Sequence, residues 1–383
     1  MSHPPNIEGY CAAGFEPVRE ALEKNLRDPD ELGQAVSIHV EGRPVVDLWG
    51  GHRDRERTLP WTEDTWACFF SVGKPIVALA CAGALREAGI GLATPVAALW
   101  PSYAQAGKAL TTVDHVLSHL AGIPGAFAAQ PGDAYDWQAM INAIERQAPM
   151  WPVGSQGCYH TFTYGHLVGE LARIVTGKRI GALVNERIAA PLGLELGFGL
   201  SPEQQSRCAD VSITHGDPLL GAIRDPTTLI GRCWQALPLA SGQEDFNSAP
   251  CRAAEMPSFN GHGTARALAK LYSTLSLALD ERGETPLFPS GLLRELTQER
   301  WSAVDALGLG NRMARGFRLT NDYSPFNRGP RAFGHSGIGG ALAFADPDHG
   351  LGFGFVTNRL APGPGSSPYP MRLVDAMRIA MSR

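Results

Sequence analysis

Ser71-Val72-Gly73-Lys74 sets a hydroxyl and an amine three residues apart, just ahead of the Ala-, Val- and Leu-rich run Pro75 to Leu85. On a helix, residues at that spacing share a face, so the two side chains can meet. A serine hydroxyl attacks a carbonyl only when another group takes its proton. A lysine in apolar surroundings suits that task, because burial disfavours its charged form and lowers its pKa. Phe69, Phe70 and the run that follows supply such surroundings. A position at a helix start adds N–H groups and a dipole that favour negative charge. The lysines are Lys24, Lys74, Lys108, Lys178 and Lys270, and only Lys74 has a serine three places before it. Alone, the tetrapeptide favours the plainer reading of a surface serine and a solvated lysine. Its company changes that.

Gly157-Cys158-Tyr159-His160-Thr161 precedes the helix-like run Leu167 to Ala172. Tyrosine has a reference pKa near 10, so it handles protons near neutrality only beside a cation, which Lys74 could supply. In isolation Tyr159 reads as an ordinary half-buried tyrosine. The third element, Gly334-His335-Ser336-Gly337-Ile338-Gly339-Gly340, leads into an apolar strand from Ala341 to Ala345. Glycines there let a ligand approach strand backbone. A free N–H at that edge, with the N–H of Ser71, could form an oxyanion hole. The plainer alternative is a Gly-rich strand entry without a ligand.

Taken in order, the three elements resemble the serine β-lactamases, penicillin-binding proteins and related esterases. That family's signature runs S-x-x-K, then Y-x-N or Y-S-x, then K-T-G or H-x-G on a strand. The first and third are matched here, and the second is matched at its tyrosine. Thr65 to Lys74 is similar to the family's approach to the serine, with Ala67 where the pattern has Phe. Leu117 to Pro124, Asn260 to Ala267 and Gly334 to Arg359 also resemble family stretches, the last two from the esterase-like branch. The resemblance covers roughly residues 35 to 360. It implies that Ser71 is acylated, that Lys74 is its partner, and that Tyr159 protonates the leaving group and activates the acceptor. Ile338, directly after His335 to Gly337, would give the second oxyanion N–H.

Two departures bear on the substrate. Thr161 stands where lactamases carry the Asn that bonds a substrate amide, and His335 stands where they carry a carboxylate-binding Lys. Histidine is mostly neutral near pH 7. Both changes point away from β-lactams and peptide carboxylates and toward esters. The expected function is therefore a carboxylesterase working through a Ser71 acyl-enzyme on small-molecule esters, with no metal or organic cofactor. Rivals are a transacylase passing the acyl group to an amine or alcohol, an amidase, peptidase or weak β-lactamase, and a non-catalytic binding protein of the same fold.

These groups need a scaffold that brings distant segments together. Val36, Ile38 and Val40 alternate, Glu41-Gly42 turns, and Val45 to Leu48 returns, which reads as a hairpin. Thr111-Thr112-Val113-Asp114 offers capping residues ahead of His115-Val116-Leu117. Ile180 to Ala190 has helical spacing, and Thr264 is placed to cap a helix from Ala265 to Leu279. Leu237 to Pro250 reads as loop. Asp346 to Gly350 is a turn between the strands Ala341–Ala345 and Leu351–Thr357, and Met371 to Met381 a closing helix. The expected fold is α/β (α+β), of the β-lactamase/transpeptidase type: an antiparallel sheet flanked by helices, with an inserted helical region. Residues 1–88 and 255–383 would form one α/β domain and 89–254 the helical region, with the cleft between them.

Composition agrees with a small-molecule enzyme. A net charge of −5 without long runs of one sign does not offer the basic stripe that nucleic acid requires. No apolar run approaches the roughly 20 residues of a membrane span, and the first residues do not read as a secretory signal. Seven scattered cysteines without a C-x-x-C pair suggest reduced thiols and a cytoplasmic setting. Gly334 to Gly337 falls short of the G-x-S-x-G elbow because Ile338 replaces its second glycine, so Ser336 is not the expected nucleophile. His115 and His119 lack the glutamate of H-E-x-x-H. His119, His160, His166 and His262 are expected to be structural, and Trp234 and Trp301 are candidates for an acyl-pocket wall, with core packing the plainer role for each.

Overall fold

The computed structural model describes residues 6–213, 225–237, 239, 246–283, 287–324, 326, 329–360 and 368–382. Its central feature is a nine-stranded sheet in which every neighbouring pair is antiparallel. In chain order the strands are β1 (Ile7–Cys11), β2 (Gly33–Val40), β3 (Arg43–Gly51), β4 (Trp301–Val304), β5 (Gly310–Met313), β6 (Arg318–Leu319), β7 (Phe333–Ser336), β8 (Leu342–Asp346) and β9 (Leu351–Thr357). In space they run β1-β3-β2-β9-β8-β7-β6-β5-β4. The expected hairpin is β2–β3. Glu41 and Gly42 both take positive φ (51° and 78°), the backbone that a two-residue turn needs to match strand twist. The join between the two ends of the chain is β2 against β9, where Val36 faces Phe355 and Ile38 faces Phe353.

Five longer helices dress the sheet and build the region beside it: α1 (Glu16–Leu26), α2 (Gly73–Glu87), α3 (Thr163–Thr176), α4 (Ala265–Leu279) and α5 (Pro368–Met381). The α1 and α5 helices pack together on one face, burying Val18, Leu22, Leu373 and Met377 against Phe353 and Phe355. On the other face α4 lies on β9 at close range, since a Cβ at Gly354 would sit 2.3 Å from the Ala265 carbonyl oxygen. Thr264 caps α4 as expected, accepting the Ala267 N–H at 3.1 Å. Beyond it, α2 packs against α3, and twelve of the fifteen α2 residues are buried. A helix sunk that deeply needs apolar residues all round rather than a stripe, as its sequence supplies.

Several expectations needed correction. Phe333 to Ser336 is itself a strand, registered on β8 from Phe333↔Ala345 to Ser336↔Leu342, and the turn comes after it. Its Gly, His and Ser are weak strand formers, so neighbouring strands rather than local propensity create it. Ile180 to Ala190 is a helix from Ile180 to Val184 that passes into a π-helical turn, Asn185–Ala189. Within the Leu237 to Pro250 stretch, residues 238 and 240–245 lie outside the described ones, while Ser248 caps a short helix, Ala249–Ala253. The strand β1 and helix α1 carried no signal that the sequence reading used. Among the described residues, no helix is long and apolar enough to cross a membrane.

Candidate active site

The backbone before Ser71 is anchored from a distant segment. Ala67–Cys68 pairs with His262–Gly263, and the Phe69 N–H donates to the Gly261 carbonyl at 2.9 Å. The chain then turns through Phe70 at φ 48°, a region bulky residues rarely enter. Burial holds it there, with the Phe70 ring meeting Phe246 edge-on at 5.8 Å. Ser71 occupies the single 3-10 turn Phe70–Val72 that runs directly into α2. It is half-buried, and Lys74 is fully buried.

Lys74 Nζ lies 3.0 Å from Ser71 Oγ, 2.9 Å from the Thr161 carbonyl oxygen and 2.8 Å from that of Ser258. Two N–H groups donate to the carbonyls, and the third position faces the serine hydroxyl, which can accept from an ammonium or donate to the lone pair of a neutral amine. Burial, and then the Arg318 cation, push the Lys74 pKa well below the ordinary lysine value. In its neutral form, an amine 3.0 Å from a hydroxyl is in position to accept that hydroxyl's proton.

Tyr159 is held by a braid between two loops. The N–H groups of Cys158 and His160 donate to His119, at its carbonyl oxygen (3.1 Å) and its Nδ1 (3.0 Å). The Ile123 N–H donates to His160 Nε2 at 3.0 Å, and the Tyr159 N–H donates to Asp305 Oδ2 at 2.8 Å. His119 itself takes φ 61° in this turn, so it is structural, as expected. The Tyr159 ring centre lies 4.7 Å from Lys74 Nζ, 4.9 Å from the Arg318 guanidinium and 5.7 Å from the His335 ring. Burial pushes its phenol up to about 12, against the pull of Arg318 and of the Ser71 hydroxyl beside it. Ser71 and Tyr159 are thus neighbours, yet the phenol oxygen meets the geometry of a hydrogen bond with none of the described groups.

The end of β7 closes the site opposite α2. A Cβ at Gly337 would stand 2.6 Å from the Phe69 carbonyl oxygen, so only glycine lets the strand end come this close to the serine turn. Its N–H is spent on the Ala341 carbonyl at 2.7 Å, which leaves Gly337 supplying space rather than a donor. Among the described residues, neither the Ser71 nor the Ile338 N–H has a protein acceptor. Both residues line the same cleft. His335 is fully buried, and burial drives its pKa well down. Its Nδ1 lies 2.7 Å from the Ser336 carbonyl, which only accepts, so Nδ1 carries the proton and Nε2 presents a lone pair. Thr161 lines the cleft, but its hydroxyl donates to the Pro124 carbonyl at 3.3 Å, and its own carbonyl is what holds Lys74.

The cleft has a volume of about 280 Å³. Phe162, Ile230, Trp234, Phe259 and Leu309 make one side apolar, and Arg318 brings a cation to it. Trp234 is therefore a wall residue, whereas Trp301 covers Gly157 and donates to the Ser118 carbonyl at 2.7 Å. His160, His166 and His262 do not line the cleft. Ser336 does, but no hydrogen bond joins its hydroxyl to a base among the described residues. Sequence reasoning missed Ser258, Asp305 and Arg318. Ser258 sits just ahead of the family-like stretch Asn260 to Ala267, whereas Arg318 is one arginine among many with no motif around it.

A family model described as Beta-lactamase matches residues 18–376. The chain belongs to the beta-lactamase family. It is 31% identical over 338 residues to "Esterase/beta-lactamase LipL" of Mycobacterium tuberculosis, covering 86% of this chain and 77% of that one. Among solved structures it resembles a penicillin-binding protein homolog from Caulobacter crescentus, with 35% identity, a TM-score of 0.85, and 98% and 100% of the two chains covered. It likewise resembles a family VIII carboxylesterase, with 32% identity, a TM-score of 0.86 and the same coverage. The fold is that of the beta-lactamases and transpeptidases, and as a member of this family the protein is a serine hydrolase.

Proposed function

We propose that this serine hydrolase is a carboxylesterase acting on small esters with an apolar acyl group. The observation that carries the reading is the buried Lys74 amine 3.0 Å from the Ser71 hydroxyl, at the foot of a cleft with an apolar wall. Ser71 Oγ attacks the ester carbonyl carbon while its proton passes to Lys74 Nζ. The N–H groups of Ser71 and Ile338 hold the resulting oxyanion. As the C–O bond to the alcohol breaks, Tyr159 gives its proton to the departing oxygen and recovers one from Lys74. Water then attacks the acyl-enzyme, the Lys74–Tyr159 pair takes its proton, and the acid and the Ser71 hydroxyl are released. The directions of the two pKa shifts favour this division, with the lysine poised as amine and the tyrosine as phenol.

Esters rank above carboxylate-bearing substrates for a different reason than His335 alone. Arg318 adds a cation that the sequence reading did not foresee, so a neutral His335 no longer separates the two classes. The apolar wall of Phe162, Trp234 and Phe259 supports an ester with an apolar acyl group, and two of the similar proteins carry esterase or carboxylesterase in their names. A fluorophosphonate probe should add one adduct at Ser71 and none in Ser71→Ala. A rate panel of p-nitrophenyl esters, small amides and a cephalosporin reporter, with and without an added alcohol acceptor, should be led by hydrolysis of the esters. Faster amide cleavage, or acyl transfer outrunning hydrolysis, would replace the esterase assignment.

A further inference from the structure

Arg318 is the cation that the proposed mechanism leaves unemployed. It belongs to β6, two strands in from the sheet edge, and its guanidinium is buried while lining the cleft. Among the described residues, its guanidinium makes only one hydrogen bond, a long one of 3.4 Å from Nη1 to Ser324 Oγ, and its Nε is buried without a partner. Among the described residues, no carboxylate lies within ion-pair distance, and Asp305 acts on it only from farther away. A buried, unpaired guanidinium is costly, so its retention calls for an anion that it meets during the reaction.

The groups facing the Tyr159 ring identify that anion. Lys74 on α2 carries a proton only between the Ser71 attack and its return to Tyr159; His335 on β7 and His119 in its turn are buried imidazoles whose pKa values are driven well down. Tyr164 on α3 is a neutral phenol, and Asp305 beyond the end of β4 spends its carboxylate on the Tyr159, Leu307 and Leu309 N–H groups and on Asn311. Arg318, 4.9 Å from the ring centre, is the one group in this set that keeps a positive charge throughout. We infer that Arg318 is a positioning residue that stabilises the Tyr159 phenolate at the moment its proton moves to the leaving alkoxide. The O–H bond of Tyr159 breaks, that of the departing alcohol forms, and the phenolate is held by Arg318 until Lys74 returns a proton.

The inference rests on Tyr159 acting as the acid, and leaving groups separate the two. A p-nitrophenolate leaves without a proton, while an ethoxide needs one. Rates as kcat/KM report the acylation step, and they are normalised to sites titrated by the fluorophosphonate probe, so misfolded protein is not counted. With butyrate esters, Arg318→Gln should cost the ethyl ester about tenfold more than the p-nitrophenyl ester, as expected of weakened acid catalysis. Arg318→Lys should recover part of that difference. Tyr159→Phe should show the larger version of the same contrast, and adding Arg318→Gln to Tyr159→Phe should widen it no further. If Tyr159→Phe slows both esters equally, the acid role of Tyr159 fails. If Tyr159→Phe discriminates between the esters but Arg318→Gln slows both alike, only the inference about Arg318 is overturned.

Discussion

Two lysines in this protein are fully buried, each beside a tyrosine ring, and only one of them meets the proposed nucleophile. Lys108 lies 5.3 Å from the Tyr103 ring centre and donates to three main-chain carbonyls, those of Gln105, Glu145 and Gln147, at 2.6 to 2.8 Å. Three acceptors require three protons, so Lys108 is built to remain an ammonium, and the neighbouring Glu145 carboxylate favours that form. Burial still lowers its pKa to about 8. Lys74 has two carbonyls and one hydroxyl, and its charged neighbour is Arg318. Replacing a carbonyl by a hydroxyl, and an anion by a cation, separates the loop clamp from the proposed base. On this proposal burial alone does not make a lysine catalytic; the chemistry of its third partner does.

Removing each lysine should break this pair most sharply. Lys74→Met is expected to lower kcat/KM by on the order of 10³-fold or more, as losing a catalytic base does. Lys108→Met should leave kcat/KM unchanged but cost about 3 kcal/mol or more in urea unfolding, because three buried carbonyls lose their donor. Comparable loss of activity in both variants would show that the two lysines do not differ in kind.

The pH profile gives the next largest effect. Lys74 must be unprotonated to accept the Ser71 proton, so activity should fall as pH drops through its pKa. Because that pKa is held well below the lysine value, the acid limb of kcat/KM should lie far below pH 10. Arg318→Gln removes one cause of the lowering, so it should move that limb upward. An acid limb near the ordinary lysine value would mean that Lys74 is not the base.

The tyrosines should separate more gently. Tyr103→Phe deletes a buried hydroxyl that lies beside Thr111 but meets hydrogen-bond geometry with none of the described groups, which is expected to be neutral or slightly stabilising in thermal melts, with unchanged kinetics. A similarly small effect, of opposite sign, is expected of Glu145→Gln. The amide keeps an acceptor for Trp100 Nε1 (2.6 Å) but removes the charge that favours the Lys108 ammonium, so Tm should fall by only a few degrees. A fall in kcat/KM with either variant would tie the Lys108 cluster to the active site.

Legibility followed distance along the chain. Ser71 and Lys74 were legible as a pair because one helical turn relates them, but their proposed role was readable only with the other two motifs; the helix beneath them announces itself through its apolar run. Tyr159 was found only through a resemblance, since nothing local distinguishes it from the other tyrosines. His335 was found the same way, but its strand was missed because Gly, His and Ser form one only when β8 and β6 hold them. Arg318 and Ser258 were invisible. One contributes a charge across a strand pair and the other a main-chain carbonyl, and neither function depends on a local pattern.

What the sequence determined by itself is the β2–β3 hairpin, the capped α4 helix, the one-turn spacing of Ser71 and Lys74, and the family to which the ordered motifs point. The elements rest on interactions between residues a few positions apart, which residue type and spacing encode directly. The tertiary structure decided which lysine meets the Ser71 hydroxyl, which amides are left without acceptors among the described residues and which cation faces the phenol. Those properties depend on burial and on the sign of charges brought from remote segments, and only the packed chain brings them together.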